Sequence, residues 1–284
     1  MTLLSQSSVA IIGLGLMGGS LALGLRGKCS QIIGIDPDPE TCQLARARQI
    51  ADRVSSDPAR ASEADLIVLA APVREILTLI EQLPRLHPGS PVVLDLGSTK
   101  VDICRALDAL PARFDPVGGH PMCGKETSGI ANADPAIYQN AAFALTPHTR
   151  TGERARTLAG EVAAALGAIP LGWMPLSTTI GSPQLATCPT CFPPPSRLPP
   201  PEETAPADSA RGFRSTARLA GSNPNMMSDV LMTNRTPIVQ ALTRFRTALD
   251  QLEAQLADND PALISTLAEA QTKRDTLERV KSTL

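Results

Sequence analysis

Short apolar runs alternate with longer amphipathic segments through the first 172 residues of the chain. The runs are rich in Val, Ile, Leu and Ala and predict buried strands at 9–12, 31–35, 66–70, 91–95, 114–117, 141–145 and 168–171. Apolar residues spaced for one helix face predict helices at 40–53, 74–83, 100–110 and 153–166. Strands separated by helices of this length predict an α/β fold with a mostly parallel, doubly wound sheet of the Rossmann type.

The pattern changes abruptly at residue 175. Ten of the 26 prolines lie between Pro175 and Ser209, which excludes a helix or a central strand from this segment. From Ile238 to Leu256, apolar residues recur every three or four positions, a narrow seam typical of paired helices. The seam favours a homodimer over packing within one chain. We expect a Rossmann domain at 1–172, a proline-rich segment at 173–209 and an all-α dimerisation domain at 210–284.

Composition narrows the range of partners and compartments. A net charge of −2 and a pI near 6.0 favour neither a nucleic acid nor an anionic membrane as partner. No basic N-terminal segment precedes a long apolar one, and no apolar run reaches the length of about 18 residues that a membrane helix needs. We therefore expect a cytoplasmic protein. The six cysteines form no regular framework and are expected to be reduced thiols, and we expect no bound metal.

The first predicted strand runs directly into a glycine-rich turn. Gly13, Gly15 and Gly18 have the Gly-x-Gly-x-x-Gly spacing, which lets the backbone turn tightly, approach a pyrophosphate and pack the following helix on the strand. The second strand ends in Asp36, at the distance where an acid binds the cofactor's ribose. The alternative is an ordinary strand-to-helix turn with a capping Asp. The predicted dinucleotide-binding residues are Gly13, Gly15, Leu16, Met17, Gly18 and Asp36.

Asp36 also indicates which dinucleotide is bound. A carboxylate at this position accepts hydrogen bonds from the ribose diol of NAD and repels the 2′-phosphate of NADP. No arginine follows Asp36 until Arg46. We therefore expect NAD rather than NADP.

Two further turns are expected beside the cofactor, because ligands of doubly wound sheets bind outside the carboxyl ends of the strands. One turn carries Ser98, and the other carries His120 between two glycines and a proline. A neutral imidazole there can accept a proton from a substrate hydroxyl while a hydride leaves the same carbon. The alternative for His120 is a structural bond to loop backbone. His87 and His148 adjoin prolines and are expected to be exposed turn residues.

Four motifs together resemble one enzyme family. They are Gly-Ser-Thr-Lys at 97–100, Gly-Gly-His-Pro-Met-Cys-Gly-Lys-Glu-Thr-Ser-Gly at 118–129, Gly-Phe-Arg-Ser-Thr-Ala-Arg-Leu-Ala at 212–220 and Met-Met-Ser-Asp-Val-Leu-Met-Thr-Asn at 226–234. In these motifs the chain resembles the prephenate/arogenate dehydrogenases of tyrosine biosynthesis. The resemblance covers residues 9–172 and 210–256.

The resemblance implies a reaction and roles for four residues. The reaction is the NAD-dependent oxidative decarboxylation of prephenate or arogenate, in which aromatisation supplies the driving force. Ser98 and His120 would form the catalytic pair, with His120 accepting the proton of the substrate's 4-hydroxyl. Arg218 would bind a substrate carboxylate, since a guanidinium fits a planar anion in a bidentate manner. Arg214 would either support Arg218 or be structural, and the helical domain would complete the substrate pocket.

The chain departs from the family between its two halves. Family members carry a helix there with His-Asp near its start and Ser-His-Leu-Pro further in, but no histidine follows His148 in this sequence. Suitable codons for residues 176–180 and 187–191 give Gln-His-Asp-His and Leu-Ser-His-Leu in one shifted frame. We therefore hypothesise that about 175–207 is a frame-shifted segment, with a disordered linker as the alternative.

The departure bears on function. With one wall of the substrate pocket replaced, the activity of this chain is in doubt, and the alternative is a catalytically impaired NAD-binding homodimer. A different β-hydroxyacid or imine dehydrogenase on the same sheet is disfavoured, because those enzymes lack Gly-Gly-His-Pro followed by the Arg214 and Arg218 pair. Cys188 and Cys191 have the Cys-x-x-Cys spacing, but no second pair or histidine follows to complete a metal site.

Overall fold

The computed structural model describes residues 2–125, 127–173 and 224–282. Its eight strands form one sheet in the order β3-β2-β1-β4-β5-β6-β7-β8. The strands are β1 Ser8–Ile12, β2 Gln31–Ile35, β3 Arg53–Ser55, β4 Leu66–Leu69, β5 Val92–Asp95, β6 Asp115–Pro121, β7 Ala142–Pro147 and β8 Ile169–Trp173. The helices are α1 Leu3–Gln6, α2 Leu16–Leu25, α3 Pro39–Ala47, α4 Val73–Leu86, α5 Val101–Asp108, α6 Glu153–Ala165, α7 Pro224–Met232, α8 Arg235–Ala257 and α9 Leu263–Ser282.

The sheet is parallel except where β6 and β7 pair in antiparallel fashion. The chain reverses its direction of winding between β1 and β4, which are neighbours in the sheet but not in sequence. This reversal opens a crevice at the carboxyl ends of the two strands, where doubly wound sheets bind their ligands. The predicted fold class is confirmed.

Alternate residues of each central strand face two separate apolar cores. On β1, Val9 and Ile11 join the core formed with α2, α3 and α6, whereas Ala10 and Ile12 join the core formed with α4 and α5. A strand that is buried on both faces needs a continuous apolar run, which is why these segments do not alternate with polar residues. Helices therefore cover both faces of the sheet and leave the strand ends free to form a site.

The predicted helix at 40–53 is wrong at its C-terminal end. Asp38 caps α3, but the helix ends at Ala47 because Gln49 adopts a positive φ of 51°. The N–H groups of Gln49 and Ile50 then bond to carbonyls of the last helical turn, the pattern of a Schellman motif. The motif turns the chain into β3, an edge strand that the sequence did not predict.

The C-terminal helices carry an apolar surface. On α8, Ile238 and Ala241 are buried, whereas Leu249 and Leu256 are about half exposed. The other exposed large apolar side chains of α7, α8 and α9 are Met226, Met232, Val239, Phe245, Ile264 and Leu267. Within the described ranges, no helix is long and apolar enough to cross a lipid bilayer.

Several predictions concern residues outside the described ranges. These are the proline-rich segment as far as 209, the pair Cys188 and Cys191, and the predicted substrate ligands Arg214 and Arg218. The four cysteines that are described are all free thiols: Cys29, Cys42, Cys104 and Cys123.

Candidate active site

The glycine turn lies at the crevice between β1 and β4. Gly13 has a φ of +99°, and a Cβ there would lie 2.6 Å from the carbonyl oxygen of Ala70. A Cβ at Gly18 would lie 1.8 Å from the carbonyl oxygen of Gly13. These two positions therefore need glycine to bring α2 and the end of β4 against the turn. At Gly15, by contrast, a Cβ would meet no described atom within 4 Å.

Open space at Gly15 lies next to a helix terminus that has no side-chain cap. Gly15 is the N-cap of α2 and makes no capping hydrogen bond, so the first N–H groups of the helix at Leu16, Met17 and Gly18 lack intrahelical acceptors. A helix terminus of this kind can bind an anion through its free N–H groups, and no Cβ at Gly15 stands in the way. The six predicted cofactor residues are thus brought together around the end of β1 and β2.

Asp36 is held at this crevice by two backbone groups. The Leu14 N–H donates to its Oδ2 at 2.8 Å, and the Asp38 N–H donates to its Oδ1 at 3.0 Å. Both bonds fix the carboxylate beside the glycine turn. Each oxygen keeps a further lone pair, so the carboxylate retains the capacity to accept hydrogen bonds from a ribose diol.

A buried ion pair lies under the two predicted catalytic turns. Lys100 Nζ donates to Asp95 Oδ2 and, at 2.7 Å, to the Gly119 carbonyl oxygen. Both charged side chains are completely buried. Asp95 in turn accepts hydrogen bonds from the N–H groups of Gly97 and Gly119. The pair therefore ties the end of β5 to β6 immediately before His120.

His120 lies within a strand rather than in the turn after one. The prediction ended this strand at Val117, but β6 continues to Pro121, and His120 pairs with Ala144 of β7. The sequence pattern does not predict this extension of the strand because the Gly118-Gly119 pair has low strand propensity. Gly119 is needed there, since a Cβ would lie 2.6 Å from the Asp95 carbonyl oxygen. A strand position fixes the imidazole more firmly than a loop would.

The imidazole of His120 is neutral at physiological pH. Burial lowers its pKa from 6.5 to about 4, and the positive charge of Lys100 acts in the same direction. Its Nδ1 is buried and finds no hydrogen-bond partner among the described residues. Nδ1 therefore makes no structural hydrogen bond to loop backbone, which was the alternative for this histidine. Ser98 lies on the neighbouring turn after β5, which Lys100 joins to β6.

Two other histidines are buried, so the prediction that they are exposed is wrong. His87 is 5% exposed, and its Nε2 lies 3.0 Å from the Ala64 carbonyl oxygen. His148 is 7% exposed, and its Nδ1 lies 2.9 Å from Asp108 Oδ1. The adjacent prolines suggested exposed turns, but partners distant in sequence bury both rings. The partners of both histidines lie outside the glycine turn, so each histidine has a structural role.

Sequence reasoning missed two contributors to the site. The sequence pattern predicts only a helix start at Lys100, although Lys100 also lies in the turn of Ser98 and close in sequence to Asp95. Tyr138 is the chain's only tyrosine and is fully buried, with its hydroxyl donating to the Met17 carbonyl oxygen at 2.9 Å. It fixes the first turn of α2 from the segment after β6, and only its rarity in the composition could have singled it out.

Comparisons with known proteins agree on one family. Residues 21–169 match the family model for the prephenate dehydrogenase nucleotide-binding domain, and residues 201–269 match the model for the prephenate dehydrogenase dimerization domain. The first match alone spans more than half of the chain.

Individual relatives cover nearly the whole chain. Prephenate dehydrogenase of Bacillus subtilis (strain 168) is 29% identical over an alignment of 279 residues, and the match covers 90% of this chain and 71% of that protein. Cyclohexadienyl dehydrogenase of Zymomonas mobilis is 28% identical over an alignment of 268 residues, and the match covers 89% of each chain.

Solved structures give the same result. Prephenate dehydrogenase from Aquifex aeolicus, in complex with hydroxyphenyl propionate and NAD+, has a TM-score of 0.80 at 26% identity, covering 97% of this chain and 100% of that one. Synechocystis arogenate dehydrogenase has a TM-score of 0.76 at 25% identity, covering 95% and 99%. The glycine turn, His120 at the end of β6 and these likenesses lead to one conclusion: the chain belongs to the prephenate dehydrogenase family.

Proposed function

We propose that this chain is an NAD-dependent oxidoreductase that acts on prephenate or arogenate. The substrate loses a hydride from the carbon that bears its ring hydroxyl, and its ring carboxylate leaves as CO2. The hydroxyl proton passes to His120 as the hydride leaves and returns to the oxygen once CO2 has left, so the product is a 4-hydroxyphenyl compound. The observation that carries the proposal is the neutral, partly buried His120 at the end of β6, which follows Gly119, whose carbonyl oxygen Lys100 binds. Family membership and the relatives' activities support it.

The residues of the crevice fit NAD. The open space at Gly15 and the uncapped start of α2 suit a pyrophosphate, and the carboxylate of Asp36 suits a ribose diol. When bound, NAD supplies the hydride acceptor. A second acid, Asp38, lies two residues from Asp36, and it adds to the repulsion that a 2′-phosphate would meet.

His120 takes the proton of the substrate hydroxyl. Its lowered pKa keeps the ring unprotonated, which a base requires, but it also makes the ring a weak base. An anionic substrate bound nearby raises that pKa, because a negative charge favours the imidazolium ion. The ring therefore becomes more basic when the dicarboxylate arrives. Ser98, on the adjoining turn, hydrogen-bonds the same hydroxyl. Arg218, together with Arg214, binds the substrate carboxylate.

The active form is a homodimer. The exposed apolar side chains of α8 and α9 belong to the segment that matches a dimerization domain. Exposed residues such as Leu256 and Ile264, at 58% and 76%, are covered by a second copy of the same helices.

The proline-rich segment is a frame-shifted replacement of a family helix, and it reduces activity. The two family matches leave residues 170–200 unmatched, which is where most of the segment lies. Sequencing the gene checks the idea directly. If the codons at 176–180 and 187–191 do not give the histidine motifs in the shifted frame, the segment is a genuine linker.

An assay of NADH formation with prephenate and with arogenate tests the proposed function. We compare the chain as given, a frame-restored chain and the frame-restored chain with His120→Ala. We expect turnover to rise on restoration and to be lost in the alanine variant, while NAD binding stays nearly unchanged. Saturable NAD binding without turnover in the restored chain would favour the impaired NAD-binding homodimer. Equal loss of NAD binding and turnover would contradict the role of His120.

A further inference from the structure

The junction between α7 and α8 lies directly on the turn that carries Ser98. Thr99, the next residue in that turn, is only 3% exposed. Its Oγ1 lies 2.9 Å from the Oγ1 of Thr233, which follows α7. A hydroxyl pair therefore connects the C-terminal helices to the β5–α5 turn across 134 positions of sequence.

The direction of this hydrogen bond can be assigned. The Thr233 hydroxyl donates its single proton to the Asp229 carbonyl oxygen, at 2.7 Å. Its oxygen can then only accept from Thr99. The result is a directed chain in which the Thr99 hydroxyl donates to Thr233 and Thr233 donates to the backbone of α7.

A second contact joins the same two parts of the molecule. Asp229 Oδ1 lies 2.8 Å from Arg74 Nε, at the start of α4. The Asp229 side chain is 17% exposed and that of Arg74 is 58% exposed, so solvent screens this ion pair. Its effect is to orient α7, whose last residues then place Thr233 over Thr99.

Thr99 is flanked by two residues of the site. Ser98 precedes it, and Lys100 follows it and binds Asp95 and the Gly119 carbonyl oxygen next to His120. We propose that Thr233 is a positioning residue, which holds the Ser98–Lys100 turn from the C-terminal helices in the geometry that reaction at His120 requires. This inference rests on the proposed function for the roles of Ser98 and His120.

Five variants of the full chain test the proposal. Thr233→Val keeps the side-chain shape and removes the hydroxyl, whereas Thr233→Ser keeps the hydroxyl. Thr243→Val is the matched control, because the Thr243 hydroxyl also donates to a helix carbonyl four residues earlier, at 3.0 Å, but is exposed and touches no turn of the sheet. The Thr99→Val and Thr99→Val/Thr233→Val variants complete a double-mutant cycle.

The first readout is the NMR titration of His120, which needs no turnover. The chain has only three histidines, so the ring signals are readily assigned. In Thr233→Val we expect the pKa of His120 to rise from about 4 towards 6.5, because a loosened turn admits water and moves Lys100 away. Thr233→Ser and Thr243→Val should titrate as the parent does.

The second readout is the split between kcat and KM. Loss of one neutral hydrogen bond that positions the turn should lower kcat about 5-fold, with the Kd for NAD unchanged. An unaltered His120 titration in Thr233→Val overturns the proposal, as does a serine variant that behaves like the valine variant. If Thr233→Val does not fold, Thr99→Val decides, since it removes the same hydrogen bond from the other side, and an unaltered His120 titration in that variant overturns the proposal. A frame-restored chain without turnover contradicts the proposed function, while the titration still tests Thr233.

Discussion

Lys100 and Asp95 form a completely buried ion pair at the carboxyl end of β5. The other hydrogen bonds of their two side chains are to backbone groups next to Ser98 and His120. Removing two charges from water is costly, so such a pair persists only where its geometry and its additional bonds are good. Here the additional partners are the backbone groups of Gly97 and Gly119. The pair therefore joins the Ser98 turn to the His120 strand as one unit.

Replacing one member of this pair should destabilise the fold strongly. Lys100→Met leaves the Asp95 carboxylate buried without its cation, and we expect a loss of about 3–5 kcal/mol in the free energy of unfolding. Urea unfolding measures it. Lys125→Met is the control, because its ion pair with Asp134 is exposed and should cost at most about 1 kcal/mol. Adding Asp95→Asn to Lys100→Met should recover part of the loss. Equal effects of the two lysine variants would contradict the assignment.

The glycine turn offers a test of binding against packing. Gly15→Ala places its methyl group in open space, so the fold should tolerate it, but the group occupies the approach to the pyrophosphate. We expect a weaker NAD affinity, by about tenfold or more, with little change in melting temperature. Gly18→Ala should instead lower the melting temperature, because its Cβ would lie 1.8 Å from the Gly13 carbonyl oxygen. Calorimetry measures NAD binding by both variants, and thermal unfolding measures their melting temperatures. A lowered melting temperature in Gly15→Ala, with weaker NAD binding alone in Gly18→Ala, would show that the two roles are exchanged.

The local pattern of the sequence determines the sheet, the glycine turn and Asp36, because each depends on residues near in sequence. Features set by distant partners were not predictable in the same way. Gln49 ends α3 without the expected glycine, and His148 is buried because Asp108 lies 40 positions away. The extension of β6 through His120 depends on its pairing with Ala144. The roles of Arg214 and Arg218 stay predictions.

Mild acid should destabilise the fold through His120 and His148, whose pKa values folding lowers. Burial lowers the pKa of His120 to about 4 and also lowers that of His148, although Asp108 partly offsets the second shift. The unfolded chain, with histidine pKa values near 6.5, then binds more protons than the folded chain, so stability falls as the pH drops below about 6.5. For His120 the fall reaches about 3 kcal/mol near pH 4. Urea unfolding between pH 7.5 and 4.5 should show a shallower pH slope in His120→Gln. Parallel slopes in the two proteins would argue against a partly buried, neutral His120.

The exposed apolar surface of the C-terminal helices should be the dimer contact. Leu249 on α8 is 47% exposed in one chain, and a glutamate there would place a charge in an apolar interface. We expect Leu249→Glu to shift the protein from dimer to monomer in sedimentation velocity runs at micromolar concentration. Gln251→Glu adds the same charge to an exposed polar position of α8 and should leave the dimer intact. If the parent protein sediments as a monomer, this surface is not a dimer contact. If the Leu249→Glu variant remains dimeric, the dimer contact lies elsewhere. Because Thr233 lies between α7 and α8, the monomeric variant also shows whether the Ser98 turn depends on dimer formation.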